Sequence, residues 1–290
     1  NRADLLQREG RYPAPPGAPA NIPGLEIAGE VVELGGGITE WAVGDRVFGI
    51  VGGGGNAEFA VTRAAELAPV PSAMTLESAA AVPEAFITAH DALVTLGGLR
   101  SGQSVLVHAV GSGVGLAAAQ LAKAFGARCY GTARTADKVA KAREFGLTDG
   151  CVVDQDMAII REAVERWTEG RGVDVVVDLV GGPYLAASLE CTAPLGHLIL
   201  VGLLAGRSAS LNLGTILQRR LTVRGTVMRS RSASEKAAAT AAFVRDVLPL
   251  LNSGAVRPVV DQVFPLEEIG KAHELLASNR TFGKVVIRSV

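Results

Sequence analysis

The sequence predicts an α/β protein, with a doubly wound parallel sheet joined to a smaller β-rich domain. Three observations predict it. From residue 103 onward, apolar runs of strand length alternate with helical segments, the pattern of a parallel sheet with helices on both faces. Residues 103–132, QSVLVHAVGSGVGLAAAQLAKAFGARCYGT, run strand, glycine turn, helix, strand. Residues 25–61 instead hold short strands separated by glycine clusters.

In chain order, residues 1–20 give a short polar–apolar segment and a Pro-rich loop, Tyr12-Pro13-Ala14-Pro15-Pro16-Gly17. Residues 25–34 alternate as a half-buried strand that Gly35-Gly36-Gly37 ends. Val43 to Gly49 make a turn feeding a second strand, Gly52 to Gly55 a loop, and Ala57 to Val61 a further short strand. The first residues read as the middle of a unit, and the strands expected before them are absent from this sequence. Thr75 can cap a helix over TLESAAAV, and Pro83 leads into a second, EAFITAHDALVTLGG. Strands then fall at Val105–Val107, Cys129–Thr132, Cys151–Val153, Val173–Val177, Leu198–Val201 and Leu221–Thr226. The helices between them are Leu116–Phe125, Thr135–Phe145, Met157–Thr168, Tyr184–Thr192 and Leu213–Arg219. The last stretch gives helix Lys236–Leu251, strand Val256–Val263, helix Leu266–Ser278 and strand Lys284–Ile287. Its strand content places it back with the N-terminal domain.

The 290 residues suit about two domains. Hydrophobic residues make up 48% and charged residues 20%, an ordinary globular composition able to bury a sizeable core. A net charge of −1 offers no electrostatic case for binding nucleic acid or an anionic membrane. No apolar run approaches the roughly 18 residues needed to span a bilayer, and no signal peptide is visible. Three scattered cysteines, Cys129, Cys151 and Cys191, fit neither a disulfide framework nor a Cys-based zinc site, so a reducing compartment, the cytoplasm, is expected.

Residues 103–132 carry the chemistry. Strand, glycine turn and helix make a dinucleotide site in which the pyrophosphate rests on N–H groups at the helix start. The glycine spacing departs from G-x-G-x-x-G: in the register that ends on Gly115, the three positions are Val110, Ser112 and Gly115. The backbone of Ser112, Gly113, Val114 and Gly115 is expected to meet the pyrophosphate. In NAD-specific folds an Asp or Glu about 20 residues past the turn accepts from the ribose 2′-hydroxyl. Here that place is Ala133, within Gly131-Thr132-Ala133-Arg134-Thr135, and no carboxylate appears until Asp137. Thr132, Arg134 and Lys138 therefore form the expected ribose-phosphate side, where Arg134 and Lys138 can give charge-assisted hydrogen bonds to a 2′-phosphate. The cofactor expected is NADPH. As a bland alternative, both cations are solvated residues at a helix start, partly neutralised by Asp137.

In order along the chain stand Asn1-Arg2-Ala3-Asp4-Leu5, Pro23-Gly24-Leu25-Glu26, Val43-Gly44-Asp45-Arg46-Val47, the 105–115 turn, Gly172 to Asp178, and Gly283-Lys284-Val285-Val286. On these residues the chain resembles the medium-chain dehydrogenase/reductases, in their zinc-free quinone oxidoreductase branch, and Arg229-Ser230-Arg231 brings it near the p53-inducible type. The resemblance implies a GroES-like catalytic domain over 1–82 lacking its first strands, a Rossmann NADPH-binding domain over 83–245, and a return to the catalytic domain over 246–290. Zinc-dependent relatives place Cys where Asn1 stands and His where Leu25 stands, so no metal is expected. Glu26 reads as a structural acceptor near a turn.

The resemblance further implies Asn1 and Tyr12 at the substrate, with Tyr12 donating a hydrogen bond to its oxygen; packing on Pro13 is the equal alternative for Tyr12. It places Val180-Gly181, Val201-Gly202-Leu203-Leu204 and Thr226-Val227-Met228 near the nicotinamide, and Lys284 within reach of the cofactor phosphates or, alternatively, flanking an edge strand. Lys138 has a Lys counterpart in relatives. His197 reads as a surface residue, and His90 and His108 as structural. The implied activity is NADPH-dependent quinone reduction by a homodimer paired through the Rossmann sheet edge. A 2-enal or enoyl reductase is the alternative, and a non-catalytic NADPH-binding structural or regulatory protein is the alternative of another class.

Overall fold

The structure, a computed structural model, describes residues 1–289. They divide into two units, Asn1–Thr88 with the segment from Met228 onward, and Ala89–Val227. In the first unit, β1 (Glu26–Glu30) pairs antiparallel with β2 (Arg46–Ile50), and β2 pairs antiparallel with β3 (Leu67–Pro69). Two details differ from the sequence reading. The first strand stops at Glu30, because its partner turns away at 42–45, where the Asp45 carboxylate accepts from the Ala42 N–H at 2.8 Å. The third strand is Leu67–Pro69, whereas 57–61 is loop with Phe59 and Val61 exposed. With β1 on one edge of β2 and β3 on the other, 57–61 has no place beside β2.

The second unit is a six-stranded parallel sheet of β4 (Ser104–Val107), β5 (Arg128–Ala133), β6 (Leu147–Val152), β7 (Val173–Asp178), β8 (Thr192–Leu200) and β9 (Thr222–Gly225). Its order is β6-β5-β4-β7-β8-β9, so the winding reverses between β4 and β7. That is the doubly wound arrangement the alternating pattern predicts, and ligands collect at the carboxyl ends of strands beside such a reversal. Strands buried on both faces read as continuous apolar runs. Leu106, Val176 and Leu198 are accordingly sealed in one cluster with Ile160 and Leu189 from the covering helices.

The chain then completes the first unit. Helix Ala233–Asp246 begins three residues before the expected Lys236, because Ser232 and Glu235 form a capping box. The next strand, β10 (Val260–Pro265), starts later than Val256, since Pro258 has no N–H for a ladder. It pairs in parallel with β11 (Lys284–Arg288), and helix Ile269–Ala277 makes the crossover. Residues 228–245 belong to this unit by packing: Phe243 is fully buried and meets Phe48 edge-on, with ring centres 5.8 Å apart. Phe243→Ala should therefore lower the unfolding free energy of this unit by about 3–5 kcal/mol in urea denaturation. A loss below about 1 kcal/mol would mean that the helix is not held by this contact.

Candidate functional site

The turn after β4 is built by close packing. Ala109 adopts the left-handed region at φ 52°, and the Val110 N–H donates to the Thr132 carbonyl at 2.9 Å, which ties the turn to β5. Helix Gly113–Ala124 then starts, three residues earlier than Leu116, with Ser112 as its cap; the Ser112 hydroxyl accepts from the Gly115 N–H at 3.1 Å. A Cβ on residue 115 would lie 2.6 Å from the Ala109 carbonyl oxygen and 2.7 Å from Val110 Cα. Gly115 therefore fills the fingerprint position at which helix and strand come closest, in the register read from the sequence. The first N–H groups of a helix have no intrahelical acceptor, so Gly113 and Val114 offer donors beside a positive helix end. This cradle fits a pyrophosphate.

Beneath it lies a sealed polar chain. His108, fully buried, has Nδ1 3.0 Å from Thr132 Oγ1 and Nε2 2.8 Å from Ser188 Oγ. The Ser188 hydroxyl gives its one hydrogen to the Tyr184 carbonyl at 2.7 Å, so toward His108 it accepts. That assigns the Nε2–H tautomer, with Nδ1 accepting from Thr132. Burial lowers the imidazole pKa, against the raising effect of nearby Asp178, so the ring stays neutral. Thr132 thus uses its hydroxyl inward.

Asp178 ends β7, and its Oδ1 accepts from the Val180 and Gly181 N–H groups at 2.8 and 2.9 Å, while its carbonyl accepts from Val201 and Gly202. One carboxylate residue thereby shapes both loops at the reversal of the sheet. Gly181 needs its freedom there, since φ is +66° and a Cβ would meet the Gly202 carbonyl at 3.1 Å. Leu203, Leu204 and Val227 are exposed, and Thr226 donates to Asp91 Oδ2 at 3.1 Å. At the end of β5, Arg134 is exposed and Lys138 half-buried, while the Asp137 carboxylate pairs with Lys141 at 3.0 Å. His90 packs edge-on against Phe125, and His197 is half-buried with Nδ1 enclosed, which corrects its reading as a surface residue.

Asn1, Tyr12, Met228 and Lys284 belong to the first unit. Lys284 is buried and donates to Asn1 Oδ1 at 2.5 Å and to Glu26 Oε1. Asn1 Nδ2 donates to the same Glu26 oxygen at 2.9 Å, and Glu26 Oε2 accepts from the Glu84 N–H at 2.8 Å. The ammonium is thus committed to an internal ion pair. Tyr12 lies under the Arg229 guanidinium, 5.0 Å from its ring centre. Arg229 also donates to the Tyr12 carbonyl at 3.0 Å, to the Gly52 carbonyl at 2.9 Å and to Gln7 Oε1. Sequence reasoning flagged the Arg229-Ser230-Arg231 segment but not this tie, whose partners lie up to 222 positions away.

Comparison with known proteins decides the family. Residues 113–243 match the family described as zinc-binding dehydrogenase, and residues 1–72 the alcohol dehydrogenase GroES-like domain. A quinone oxidoreductase of Pseudomonas aeruginosa is 35% identical over 290 residues, spanning 99% of this chain and 87% of that protein. The chain belongs to the medium-chain dehydrogenase/reductases. Among solved structures of this family, a mycobacterial protein complexed with NADPH superimposes with TM-score 0.87 at 30% identity, over 99% of this chain and 88% of that one. The apo form of the JamJ enoyl reductase gives TM-score 0.87 at 25% identity, over 100% and 88%.

As a member of this family the chain is an oxidoreductase, and its GroES-like and Rossmann parts account for the two units. The His108 network gives a pH test. A histidine held neutral by the fold, with its pKa depressed, contributes stability that is present above its unfolded value of 6.5 and lost as pH falls below it. The denaturation midpoint should drop on acidification through that value, and in His108→Gln this part of the dependence should vanish. An unchanged acid limb in the variant would show that another group titrates.

Proposed function

We propose that the protein is an NADPH-dependent quinone reductase that transfers hydride without zinc. The observation that carries this reading is the state of residues 1 and 25. A catalytic zinc needs three protein ligands of Cys, His or carboxylate type. Leu25 is apolar and sealed, the Asn1 amide is held by Glu26 and Lys284, and the described residues include no group of three or more His, Cys, Asp or Glu able to hold a metal. The donor set does not fit zinc. Alcohol oxidation calls for a Lewis acid to stabilise the alkoxide. A quinone is already electrophilic and spreads the charge it gains, so positioning and one hydrogen bond suffice. Tyr12 donates that bond: burial and the Glu84 charge raise its pKa, which keeps the phenol protonated.

The bound nicotinamide supplies hydride. The N–H groups of Gly113 and Val114 would hold its pyrophosphate, with Ser112 capping the helix and Gly115 letting it approach the turn, and Arg134 and Lys138 would read the 2′-phosphate. The likeness to a mycobacterial protein complexed with NADPH supports the cofactor, and the likeness to a Pseudomonas quinone oxidoreductase supports the acceptor. A second reading, reduction of 2-enals or enoyl groups, uses the same hydride and is favoured by the likeness to an enoyl reductase. The free edge of β9, where Val223 is exposed, is the surface we assign to homodimer pairing. A reducing compartment such as the cytoplasm suits Cys129, Cys151 and Cys191, all free, with burial pushing Cys129 and Cys191 up to about 12. Among the described residues no helix is long and apolar enough to cross a membrane.

Following NADPH absorbance with quinones, enals and simple alcohols tests the acceptor. Quinones should turn over far faster than alcohols, and chelators should change nothing. Comparable alcohol oxidation, or stoichiometric zinc lost together with activity, would overturn the reading. The cofactor test is the double change Arg134→Ala with Lys138→Ala. It should weaken NADPH binding by roughly 2–4 kcal/mol and spare NADH. Equal losses for both cofactors would mean that these residues do not read the 2′-phosphate.

A further inference from the structure

The parallel sheet is wound in two halves, and a side chain at their junction bonds to both. His108 directly follows β4, at the reversal between β4 and β7. Its N–H donates to the Val177 carbonyl on β7 at 3.1 Å. Its ring accepts from Thr132 on β5 at 3.0 Å and donates to Ser188 on helix Pro183–Cys191 at 2.8 Å. β5 lies in the half that carries the glycine turn, whereas β7 and the helix after it lie in the other. Thr132 is bonded to the same turn a second time, since its carbonyl accepts from the Val110 N–H at 2.9 Å. The side chain of residue 108 and the backbone of residue 110 thus grip one residue of β5, with Ala109 between them. Ala109 needs that grip, because at φ 52° it sits in the left-handed region that a side chain disfavours. Its carbonyl accepts from the Ser112 N–H at 2.9 Å and is the atom that a Cβ on residue 115 would meet first. The backbone that His108 fixes is therefore the backbone on which helix Gly113–Ala124 rests. His108, Thr132 and Ser188 are each at most 1% exposed, so their side chains serve one another and no ligand.

We propose that His108 is a positioning residue for the dinucleotide, joining the two halves of the sheet so that the glycine turn keeps the shape that receives a pyrophosphate. This rests on the cofactor site of the function proposed above and not on the acceptor. Sealed from any ligand, the ring acts through Thr132, Ala109 and the start of the helix. The role calls for one acceptor toward Thr132 and one donor toward Ser188, which the neutral Nε2–H imidazole supplies. A ring that lacks both, as in His108→Phe, strands the buried Thr132 hydroxyl, and a stranded donor moves to find another acceptor. The turn then loses its single arrangement, and ordering it again falls on the binding step. NADPH and NADH carry the same pyrophosphate, so both should suffer alike. That separates His108 from Arg134 and Lys138, whose loss is expected to spare NADH.

The test measures binding by the change in NADPH and NADH fluorescence, in protein that circular dichroism shows to be folded at the assay temperature. His108→Phe should raise both dissociation constants about 10-fold. His108→Gln, whose amide offers one acceptor and one donor, should recover most of that loss. Thr132→Val, a milder change, should match His108→Phe, and the double change should add little to either, because both remove the same bond. Nitrogen NMR of the wild-type ring should show Nε2 protonated and Nδ1 bare. Unchanged dissociation constants in either folded variant overturn the proposal, as does a proton on Nδ1. Losses that add in full overturn it too, since they would place the Thr132 hydroxyl on the cofactor itself. Equal affinity of wild type for NADPH and NADH overturns the cofactor assigned above and leaves this inference standing, whereas binding of neither overturns both.

Discussion

Helix Gly113–Ala124 can rest against the turn after β4 only because residue 115 carries no side chain. With a Cβ there, the Ala109 carbonyl would be 2.6 Å away, and the helix start would have to lift off the strand. The surrounding structure holds that distance fixed. Val110 is hydrogen-bonded to β5, and His108 below it links Thr132 on β5 to Ser188 on helix Pro183–Cys191. A buried network with each partner satisfied allows one arrangement of its members. The donors at the helix start are therefore aimed before any anion arrives, which lowers the ordering cost of binding.

In the first unit the same part is played by charge. Arg229 spans three acceptors drawn from a helix, a Pro-rich loop and a glycine loop, and its guanidinium covers Tyr12. The forked, always-charged group suits this better than a lysine would, because its donors point in fixed, separate directions. Lys284, a compact point charge, instead sits among Asn1 and the Glu26–Glu84 pair. The two cations thus divide the work, one ordering loops and the other balancing carboxylate charge.

The parallel sheet was legible because its strands are buried on both faces and read as apolar runs whatever their neighbours. The glycine turn was legible for a similar reason: its geometry forbids side chains at defined positions. Segment 57–61 misled because it has strand composition, yet pairing depends on a free edge, and β2 had none left. Leu67–Pro69 has little pattern of its own and became a strand by taking that edge. The start of helix Ala233–Asp246 is written locally, in the capping pair Ser232 and Glu235. His108, Glu84 and Arg229 could not be valued from the chain alone, since each has a partner 58 or more positions away.

The way the first unit is drawn from both ends of the sequence bears on how the protein reaches this state. Residues 89–227 are contiguous and form their own sheet, so they can fold as soon as they have been synthesised. The first unit needs β10, β11 and Lys284, and the link from Lys284 to Asn1 closes a loop of 283 positions. Contacts of such long range form late, because the chain entropy must be lost before they reward it. Until the last strand arrives, Glu26 and Glu84 face each other without their ammonium. The N-terminal segment therefore waits incomplete on the ribosome, with the Phe48 face that Phe243 will cover still open, and this is the interval in which a chaperone would have something to hold.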